Sequence, residues 1–500
     1  MSSLDRLSCY RALRTRDARF DGRFFVGVTS TGIYCRPICP ARTARFENCQ
    51  FFPSAAAAQE AGFRPCLRCR PERAPDFASW RGSSNTVSRA LALIADGALD
   101  GGEAGVEALA ERVGLGSRQL RRLFEQHLGA SPLAVAQTRR VLFAKQLVQE
   151  TRMPLSKVAL AAGFGSVRRF NDTFHRLFRR PPSSLRRKAP PEPPSRAPGA
   201  GVTLRLCYRP PYDWGAMLEH LGARAIAGVE VVTGGAYLRT VAQEGLLGTV
   251  EVRHEPERRW LAATIRFPDV CALPAILESV RRVFDVGADI QTIGAHLSQD
   301  PLLAPLVALR PGLRAPGGWD GFELAVRAVL GQQISLSAAR RLAAQLVTLC
   351  GEEVSWTEGQ HPALTHAFPT PRQLASADLD RLGMPAARRA ALRALAEAAV
   401  ADRQLFRPLG SVEEAIERLR GIRGIGEWTA QYIALRALRE TDAFPASDLG
   451  LLRGAARGAR RTTPAALLRR AEPWRPWRAY AAQHLWTTDA VAPRNGKDAR

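Results

Sequence analysis

Lysine is scarce in this sequence: the 500 residues include 71 basic residues, of which only Lys145, Lys157, Lys188 and Lys497 are lysines. No apolar run reaches the length that spans a membrane, and the first twenty residues lack the apolar core of a signal peptide. These absences argue against a membrane protein and favour a cytoplasmic protein of bacterial type with reduced thiols. Its nine cysteines are then expected as metal ligands, catalytic groups or buried residues before disulfides.

Acidic residues are also few, with 47 against the 71 basic residues, and the formal net charge is +24. The excess lies mainly in residues 1–188, which hold 32 basic and 15 acidic residues, whereas residues 189–500 hold 39 and 32. A coding bias explains the choice of arginine over lysine, but it does not explain the shortage of acids. The charge therefore indicates a polyanionic partner, most simply nucleic acid.

The composition changes sharply at residues 179–201, RRPPSSLRRKAPPEPPSRAPGAG, a segment too rich in proline and charge to pack into a core. A chain of this length is expected to form two to four domains. The predicted units are a cysteine-containing domain, a helical domain, a linker, a mixed α/β domain and a second helical domain, over residues 1–80, 86–186, 187–201, 202–288 and 289–490.

Four cysteines form two close pairs in the pattern Cys35-x3-Cys39-x26-Cys66-x2-Cys69. Each pair offers two thiolates from one turn, and the intervening chain can fold back to complete a tetrahedral site. The alternative is four unrelated buried or free cysteines. The spacing predicts one bound Zn²⁺ ion.

The stretches TGIYCRPICPAR (31–42) and AGFRPCLRCRPE (61–72) carry both pairs, and with their surroundings they resemble the N-terminal domain of Ada-type methylphosphotriester methyltransferases. The resemblance covers about residues 5–75. It implies that Cys35 is both a zinc ligand and the acceptor of a methyl group from a DNA phosphotriester. Zinc would keep the thiol deprotonated, and the thiolate would attack the methyl carbon.

Methylation would also change the charge of this site. A zinc ion with four thiolates carries two net negative charges, and conversion of Cys35 to a thioether leaves one. Nearby arginines would then hold DNA phosphates more tightly. The candidate phosphate-binding residues are Arg36, Arg42, Arg45, Arg64 and Arg68.

Two helix-turn-helix patterns follow, VEALAERVGLGSRQLRRLFEQHLG (106–129) and a second copy within residues 154–186. In the first, apolar residues recur at helical spacing on both sides of Gly114, and residues 117–127 form the expected recognition helix. The doublet resembles the DNA-binding domain of AraC-family regulators. The candidate DNA contacts are Ser117, Arg118, Arg121, Arg122, Ser166, Arg168 and Arg169.

In the second half, LRGIRGIGEWTAQYIALRAL (419–438) places a glycine-rich hairpin between two helices, and FPASDLGLL (444–452) follows with a carboxylate, Asp448. Such a hairpin brings backbone amides close to a DNA phosphate. Hairpin and aspartate resemble the helix-hairpin-helix DNA glycosylase superfamily, and residues 202–490 resemble its 3-methyladenine glycosylase II (AlkA) group. An ordinary glycine-rich turn is the alternative.

This second resemblance implies a set of roles. Asp448 would stabilise a positively charged sugar and orient the attacking water, Gln333 would fill the gap left by an extruded nucleotide, and a monovalent or divalent cation would sit at the hairpin, residues 421–426. Ser447 and Arg423 depart from the family pattern. The implied base-pocket residues are Trp428, Tyr432 and Trp486, and the implied hairpin contacts are Gly424 and Gly426.

A purine alkylated at N3 or N7 is cationic and leaves easily, and stacking and cation–π attraction would favour it in an aromatic pocket. The position at which bifunctional relatives carry a Schiff-base lysine is Trp428 here, and residues 189–496 contain no lysine. The expected reaction is therefore monofunctional hydrolysis that leaves an abasic site.

The expected fold class is multidomain and mainly α, with a small zinc-bound α/β domain, an AraC-like domain, a small mixed α/β domain and an all-α glycosylase domain. The expected function is alkylation repair by methyl acceptance and base removal, with activation of repair genes. The alternatives are a methylation-sensing regulator with an inactive glycosylase and a zinc-stapled DNA-binding scaffold without chemistry. The expected partners are double-stranded DNA, alkylated DNA, promoter DNA and RNA polymerase. The protein is expected to be a monomer associated with the nucleoid. The sequence lacks the Pro-Cys-His-Arg stretch of O6-methylguanine repair.

Overall fold

The computed structural model describes residues 5–74, 85–95, 97–99, 105–186, 201–354, 361–407, 411–456 and 462–491. Of the predicted linker, residues 187–201, only Gly201 is among the described residues, so that prediction lies outside them. No helix in these ranges is long and apolar enough to cross a membrane.

The N-terminal domain is a four-stranded sheet with two helices. The order is β3-β1-β2-β4, with β1 antiparallel to both neighbours and β2 parallel to β4. Gly27 in β1 lies under the rings of Phe52 and Phe63, where a Cβ atom would come within 2.9 Å of either ring. The elements are α1 (Arg6–Thr15), β1 (Phe25–Val28), β2 (Ile33–Cys35), β3 (Cys49–Phe52), α2 (Ala55–Glu60) and β4 (Arg64–Pro65).

The next domain is helical and contains two helix-turn-helix units joined by a long helix. Gly114 and Gly163 lie in the two turns with positive φ angles of 74° and 76°, a conformation that glycine adopts without strain. Leu120 and Phe124 of the first unit, and Phe170 and Phe174 of the second, face the core. The helices are α3 (Asn85–Ala95), α4 (Val106–Arg112), α5 (Ser117–Leu128), α6 (Pro132–Glu150), α7 (Leu155–Ala161) and α8 (Val167–Phe178).

The third domain is a five-stranded antiparallel sheet, in the order β5-β9-β8-β7-β6, with two helices. Alternate residues of β5 and β9 are buried, as expected for a sheet with one face on a core. The elements are β5 (Val202–Cys207), α9 (Trp214–Arg224), β6 (Glu230–Thr233), β7 (Ala236–Gln243), β8 (Leu246–Glu255), β9 (Trp260–Arg266) and α10 (Leu273–Val283).

The C-terminal domain is helical, apart from a two-stranded hairpin, and its core consists mainly of leucine and alanine side chains around Trp474. The elements are α11 (Ile290–Leu297), α12 (Ala304–Leu309), α13 (Gly321–Leu330), α14 (Leu336–Cys350), β10 (Glu352–Glu353), β11 (His366–Ala367), α15 (Pro371–Ser376), α16 (Ala386–Ala401), α17 (Val412–Arg420), α18 (Glu427–Arg436), α19 (Leu449–Ala456), α20 (Pro464–Arg470) and α21 (Arg478–Val491).

The domains pack directly against one another. The second helix-turn-helix unit and the five-stranded sheet share one apolar cluster, which runs from Val141 to Val286. At the end of α6, Glu150 accepts hydrogen bonds from Arg73 of the N-terminal domain and from the backbone N–H of Arg205 in β5. The multidomain, mainly helical architecture with two small mixed α/β domains confirms the predicted fold class.

Candidate metal centre and candidate active site

The four predicted zinc ligands lie together at one edge of the N-terminal sheet. The parallel pairing of β2 with β4 sets Tyr34 opposite Pro65, so that Cys35 and Cys66 follow the paired strands side by side. All four sulfur atoms lie within 4.8 Å of one another, and all four side chains are buried. The cluster consists of Cys35, Cys39, Cys66 and Cys69.

This donor set fits a tetrahedral metal ion. A zinc ion with bonds of about 2.3 Å holds its four sulfur atoms about 3.8 Å apart, which is compatible with sulfur atoms that all lie within 4.8 Å of one another. Backbone N–H groups already point at the sulfurs: that of Arg36 donates to Cys69 Sγ and that of Arg68 to Cys66 Sγ, both at 3.3 Å. Such donors stabilise thiolates, and none of the four cysteines forms a disulfide.

The predicted phosphate-binding arginines around the cluster do not all reach the surface. Arg42, Arg45 and Arg68 are exposed, and Arg64 is half-buried. The side chain of Arg36 is buried instead, and its guanidinium is engaged within the protein, so its predicted contact with phosphate has no support here. Its guanidinium pairs with Asp21, with Nε to Oδ1 at 2.8 Å, and its Nη1 donates to the Cys69 carbonyl at 3.1 Å.

Lys145 supports the cluster from α6, a role that the sequence analysis missed. Its ammonium group is fully buried, donates to the Cys66 carbonyl at 3.1 Å and pairs with Glu72 at 2.6 Å. Lysine is rare in this chain, so its presence in the middle of a helix was the available signal. The contact fixes the second cysteine pair to the helix that joins the two helix-turn-helix units.

The predicted DNA contacts of the two recognition helices are mostly exposed. Arg118, Arg122, Arg168 and Arg169 lie at the surface, and Ser117 is half-buried at the first turn of α5. Some of these residues have partners within the protein, among them Arg168, whose Nε lies 3.9 Å from Asp172 Oδ2. Arg121 pairs with Glu107 at 2.9 Å, and Ser166 caps α8 by accepting the Arg169 N–H.

In the C-terminal domain, Asp448 lies between two tryptophans at the N-terminus of α19. Trp428 Nε1 donates to Oδ2 and Trp486 Nε1 to Oδ1, both at 2.8 Å, and the Leu451 N–H donates to Oδ1 at 3.0 Å. These donors hold the carboxylate in one orientation. Oδ2 accepts one of these bonds, and a carboxylate oxygen can accept two, which leaves room for a further donor such as water.

The three predicted aromatic residues and Asp448 line one cleft of about 260 Å³ between the third and fourth domains. The Trp428 and Tyr432 rings stack with centroids 5.4 Å apart and an angle of 13°, and the Trp486 ring meets Tyr432 at 69°. All three side chains are half-buried and thus open to the cleft rather than sealed in the core.

Two arginines that the sequence analysis missed, Arg224 and Arg436, line the same cleft. Arg436 follows Trp428 and Tyr432 at the same helical spacing, which was the signal for it. Its guanidinium carbon lies 4.9 Å from the Trp486 ring centroid and 5.8 Å from that of Tyr432. Burial acts to raise the pKa of the Tyr432 phenol, but Arg436 and Arg224 act against burial and bring it below its ordinary value.

The hairpin between α17 and α18 contains the two glycines that are predicted to contact DNA, Gly424 and Gly426. Gly424 has a φ angle of +85°, and a methyl group there would overlap Ala391 of α16. Gly426 is the N-cap of α18, and both glycines are exposed. No side chain of the described residues caps the start of α18, so its first backbone amides remain available as donors to a phosphate.

Gln333, the predicted wedge, is exposed in the loop before α14 and has a left-handed backbone with φ +57°. Its neighbour Gln332, also missed from the sequence, connects this loop to the hairpin. Gln332 Nε2 lies 3.0 Å from both the Gly424 carbonyl and the Thr429 hydroxyl, to which it donates. The candidate wedge and the hairpin are therefore held as one unit.

Four family models match successive parts of the chain. They are "Metal binding domain of Ada" over residues 8–72, "Helix-turn-helix domain" over 109–188, "AlkA N-terminal domain" over 203–320 and "HhH-GPD superfamily base excision DNA repair protein" over 326–478. The cysteine cluster lies within the first of these matches, and Trp428, Tyr432 and Asp448 lie within the last. The match to the Ada metal-binding domain and the fit of the four thiols assign a zinc ion to the cluster.

Curated relatives match nearly the whole chain or more than half of it. A "Probable bifunctional transcriptional activator/DNA repair enzyme AlkA" of Mycobacterium tuberculosis is 43% identical over 96% of this chain and 96% of its own. The "DNA-3-methyladenine glycosylase 2" of Escherichia coli is 38% identical over 58% of this chain and 98% of its own. The chain belongs to the family of Ada–AlkA fusion proteins, in which an Ada-type zinc domain and helix-turn-helix domain precede an AlkA-type domain.

A solved structure shares the fold of the second half. It is the "3-methyladenine dna-glycosylase from Archaeoglobus fulgidus", with a TM-score of 0.51 and 22% identity over 57% of this chain and 98% of that chain. The likeness supports the assignment of the third and fourth domains to the glycosylase fold.

Proposed function

We propose that the chain hydrolyses the N-glycosidic bond of alkylated purines in DNA, such as 3-methyladenine and 7-methylguanine, with Asp448 as the catalytic carboxylate. The observation that carries this proposal is the geometry of the cleft. A carboxylate is fixed by two indole N–H groups beside a stacked pair of aromatic rings. The names of the relatives from M. tuberculosis and E. coli, a DNA repair enzyme and a DNA glycosylase, support the same reaction.

The reaction requires an extruded nucleotide, since the cleft can reach the glycosidic bond only outside the base stack. The damaged base would lie against Trp428 and Tyr432, with its sugar next to Asp448. As the bond between base and sugar breaks, positive charge develops on the sugar, and the Asp448 carboxylate stabilises it. Asp448 Oδ2, which has an acceptor position left, would orient the attacking water.

Extrusion would use the unit formed by the hairpin and the candidate wedge. The amides at the start of α18 would hold a DNA phosphate, and Gln333 would enter the gap left in the duplex. Because Gln332 connects the wedge loop to the hairpin, binding of the DNA backbone by the hairpin would also position Gln333. A monovalent or divalent cation at residues 421–426 remains part of this proposal, and equilibrium dialysis with DNA present would test it.

For the first half we propose stoichiometric methyl transfer from a DNA methylphosphotriester to Cys35. When bound, zinc supplies the positive charge that keeps the Cys35 sulfur a thiolate at neutral pH. That sulfur attacks the methyl carbon, an S–C bond forms, the C–O bond breaks, and the phosphate leaves as a diester anion. The product is a thioether with one negative charge less at the cluster.

Exposed arginines support the step from methyl transfer to gene activation. Arg42, Arg45 and Arg68 surround a cluster whose negative charge falls on methylation, so binding of DNA phosphates would strengthen. The recognition helices α5 and α8 would then read promoter DNA in the major groove. Contact with RNA polymerase, a monomeric state and nucleoid association belong to this proposal, and sedimentation with and without promoter DNA tests the monomer.

The decisive experiment for the glycosylase is base release from duplex DNA containing 7-methylguanine or 3-methyladenine. We expect the wild-type protein to release both bases and Asp448→Asn to lose at least about a hundredfold in rate, because the amide lacks the charge that stabilises the sugar. Asp380→Asn, which removes an exposed carboxylate outside the cleft, is the matched control. No release by a folded, DNA-binding wild type would favour the regulator with an inactive glycosylase.

A further inference from the structure

Trp428, Tyr432 and Arg436 lie four residues apart on α18 and so share one helix face, which lines the cleft. The first two stack on each other, and the guanidinium carbon of the third lies 5.8 Å from the Tyr432 ring. The same guanidinium lies 4.9 Å from the Trp486 ring. A cation built into the protein therefore already contacts two of the three aromatic rings that would surround a damaged base.

No carboxylate of the described residues forms a direct ion pair with Arg436. Its side chain is 2% exposed, and its Nη1 and Nη2 donate to two neutral acceptors, the Pro316 carbonyl and Gln483 Oε1, both at 2.7 Å. Its Nε has no hydrogen-bond partner among the described residues. Burial lowers the pKa of Arg436 to about 10, which leaves it charged at neutral pH.

From this geometry we infer that Arg436 is a specificity-determining residue of the cleft, which disfavours binding of cationic bases and assists the departure of neutral ones. The inference rests on the proposed glycosylase function and deepens it. It also modifies the expectation that the aromatic rings favour a cationic base, because the arginine already occupies the cation–π position beside Tyr432 and Trp486.

The two classes of base differ in how their charge changes during the reaction. A 7-methylguanine base is cationic when bound and becomes neutral as it leaves, so a nearby guanidinium opposes its binding and this opposition fades in the transition state. A neutral purine such as hypoxanthine gains negative charge as it leaves, so the same guanidinium stabilises its transition state. Loss of the positive charge at position 436 therefore strengthens binding of the cationic base and removes stabilisation from the transition state of the neutral base.

The test compares kcat and KM for duplexes carrying 7-methylguanine or hypoxanthine. For Arg436→Met we expect KM for the cationic base to fall and kcat for the neutral base to fall. As a result, kcat/KM for hypoxanthine divided by kcat/KM for 7-methylguanine should drop about tenfold. Arg436→Lys should retain most of the ratio because it keeps the charge. Arg436→Gln, which keeps an amide donor for Pro316, replaces Arg436→Met if the latter does not fold.

Gln483→Leu is the matched control, since it removes the same hydrogen bond to Arg436 and leaves the guanidinium in place. A merely structural role of Arg436 would lower activity on both bases together and would do so in this control as well. An unchanged ratio in Arg436→Met, or a wild type that releases 7-methylguanine but never hypoxanthine, overturns the inference and leaves the proposed glycosylase intact. A wild type that releases neither base contradicts the proposed function itself.

Discussion

The carboxylate of Asp448 lines the cleft and accepts three hydrogen bonds, from donors on three different helices. Trp428 comes from α18, Trp486 from α21, and Leu451 from α19, so packing of these helices fixes the carboxylate in one orientation. A group held in this way needs little reorganisation when charge develops nearby. The expected loss in Asp448→Asn follows from this arrangement.

At the cysteine cluster, we expect Cys35→Ser to lose methyl transfer completely and to bind zinc more weakly, because it removes both the acceptor sulfur and one of four ligands. The measurement is transfer of labelled methyl groups from methylphosphotriester DNA, with zinc content determined on the same samples. A scaffold without chemistry would bind zinc and accept no methyl group in the wild type.

Cys49→Ala is the control for this prediction. Cys49 is fully buried in the same apolar cluster, but its sulfur is not among the four ligand atoms and donates instead to the Arg45 carbonyl at 3.3 Å. We expect this variant to bind one zinc ion and to accept methyl groups as the wild type does. Failure of both functions in Cys49→Ala would mean that the assay reports folding of the domain.

Residues whose roles depend on local spacing could be predicted from the sequence, and residues whose roles depend on distant partners could not. The four cysteines and Asp448 belong to short motifs, and the structure brings each set together. In the sequence, Arg36 resembles a surface arginine, but in the structure it is buried and pairs with Asp21. The buried ammonium group of Lys145 pairs with Glu72, which belongs to another domain. Buried charges are retained only with such partners, which the sequence does not reveal.

Among the elements, the hairpin between α17 and α18 has the strictest backbone requirement. Gly424 combines a left-handed conformation with close contact to α16, and its carbonyl accepts the hydrogen bond from Gln332. Any side chain at this position would disturb both the turn and the distance between the hairpin and α16.

We therefore expect Gly424→Ala to lower the free energy of unfolding by about 1–2 kcal/mol from backbone strain, with a further cost from overlap with Ala391. It should also weaken binding to undamaged duplex DNA, measured by fluorescence anisotropy. Gly383→Ala is the control, since no atom lies within 4 Å of its added methyl group. Equal effects of the two substitutions would contradict a special role for the hairpin.

The two helix-turn-helix units and the hairpin were predictable as elements because apolar spacing and glycine positions are local signals. The contacts that α6 makes with other domains could not be predicted in this way. This helix of 19 residues joins the two units, and it also carries Lys145 and Glu150, which contact the N-terminal domain and the sheet of the third domain. The apolar residues of α6 are not confined to one face, because the helix is buried on several sides.

Across the whole molecule, a buried chain of alternating charges connects the cysteine cluster to the C-terminal domain. Arg36 pairs with Asp21, whose carbonyl accepts from Arg209 at 2.7 Å, and Arg209 in turn pairs with Asp289 at 3.2 Å. Arg23 of the N-terminal domain also pairs with Asp289. Removing one member would leave a buried partner without compensation, typically at a cost of about 3–5 kcal/mol.

A chain cut between residues 187 and 200 tests this contact. We expect its two fragments to elute together in gel filtration, and Asp289→Asn to weaken their association at least about a hundredfold because Arg23 and Arg209 lose their shared carboxylate. The comparison is made by analytical ultracentrifugation of the cut protein.

Asp213→Asn is the control for the cut-chain experiment. Like Asp289, Asp213 caps a helix through its side chain, here by accepting the Ala216 N–H, and asparagine is an equally good cap. Within the part of the chain that the structure describes, Asp213 pairs with Arg310, which belongs to the same half. Separation of the wild-type fragments after cutting would contradict a stable contact between the halves.

One apolar cluster is shared by the second helix-turn-helix unit and the five-stranded sheet. This shared core determines which part of the chain could be transferred to another protein as an independent domain. The change in composition at residues 187–201 suggests a place to exchange modules, but the core continues across it. A transplant of residues 86–186 alone would carry an open apolar face that promotes aggregation in its new host. A transplant extended to Val286 would carry that face already covered, so the smallest portable DNA-reading module of this chain includes part of its repair half.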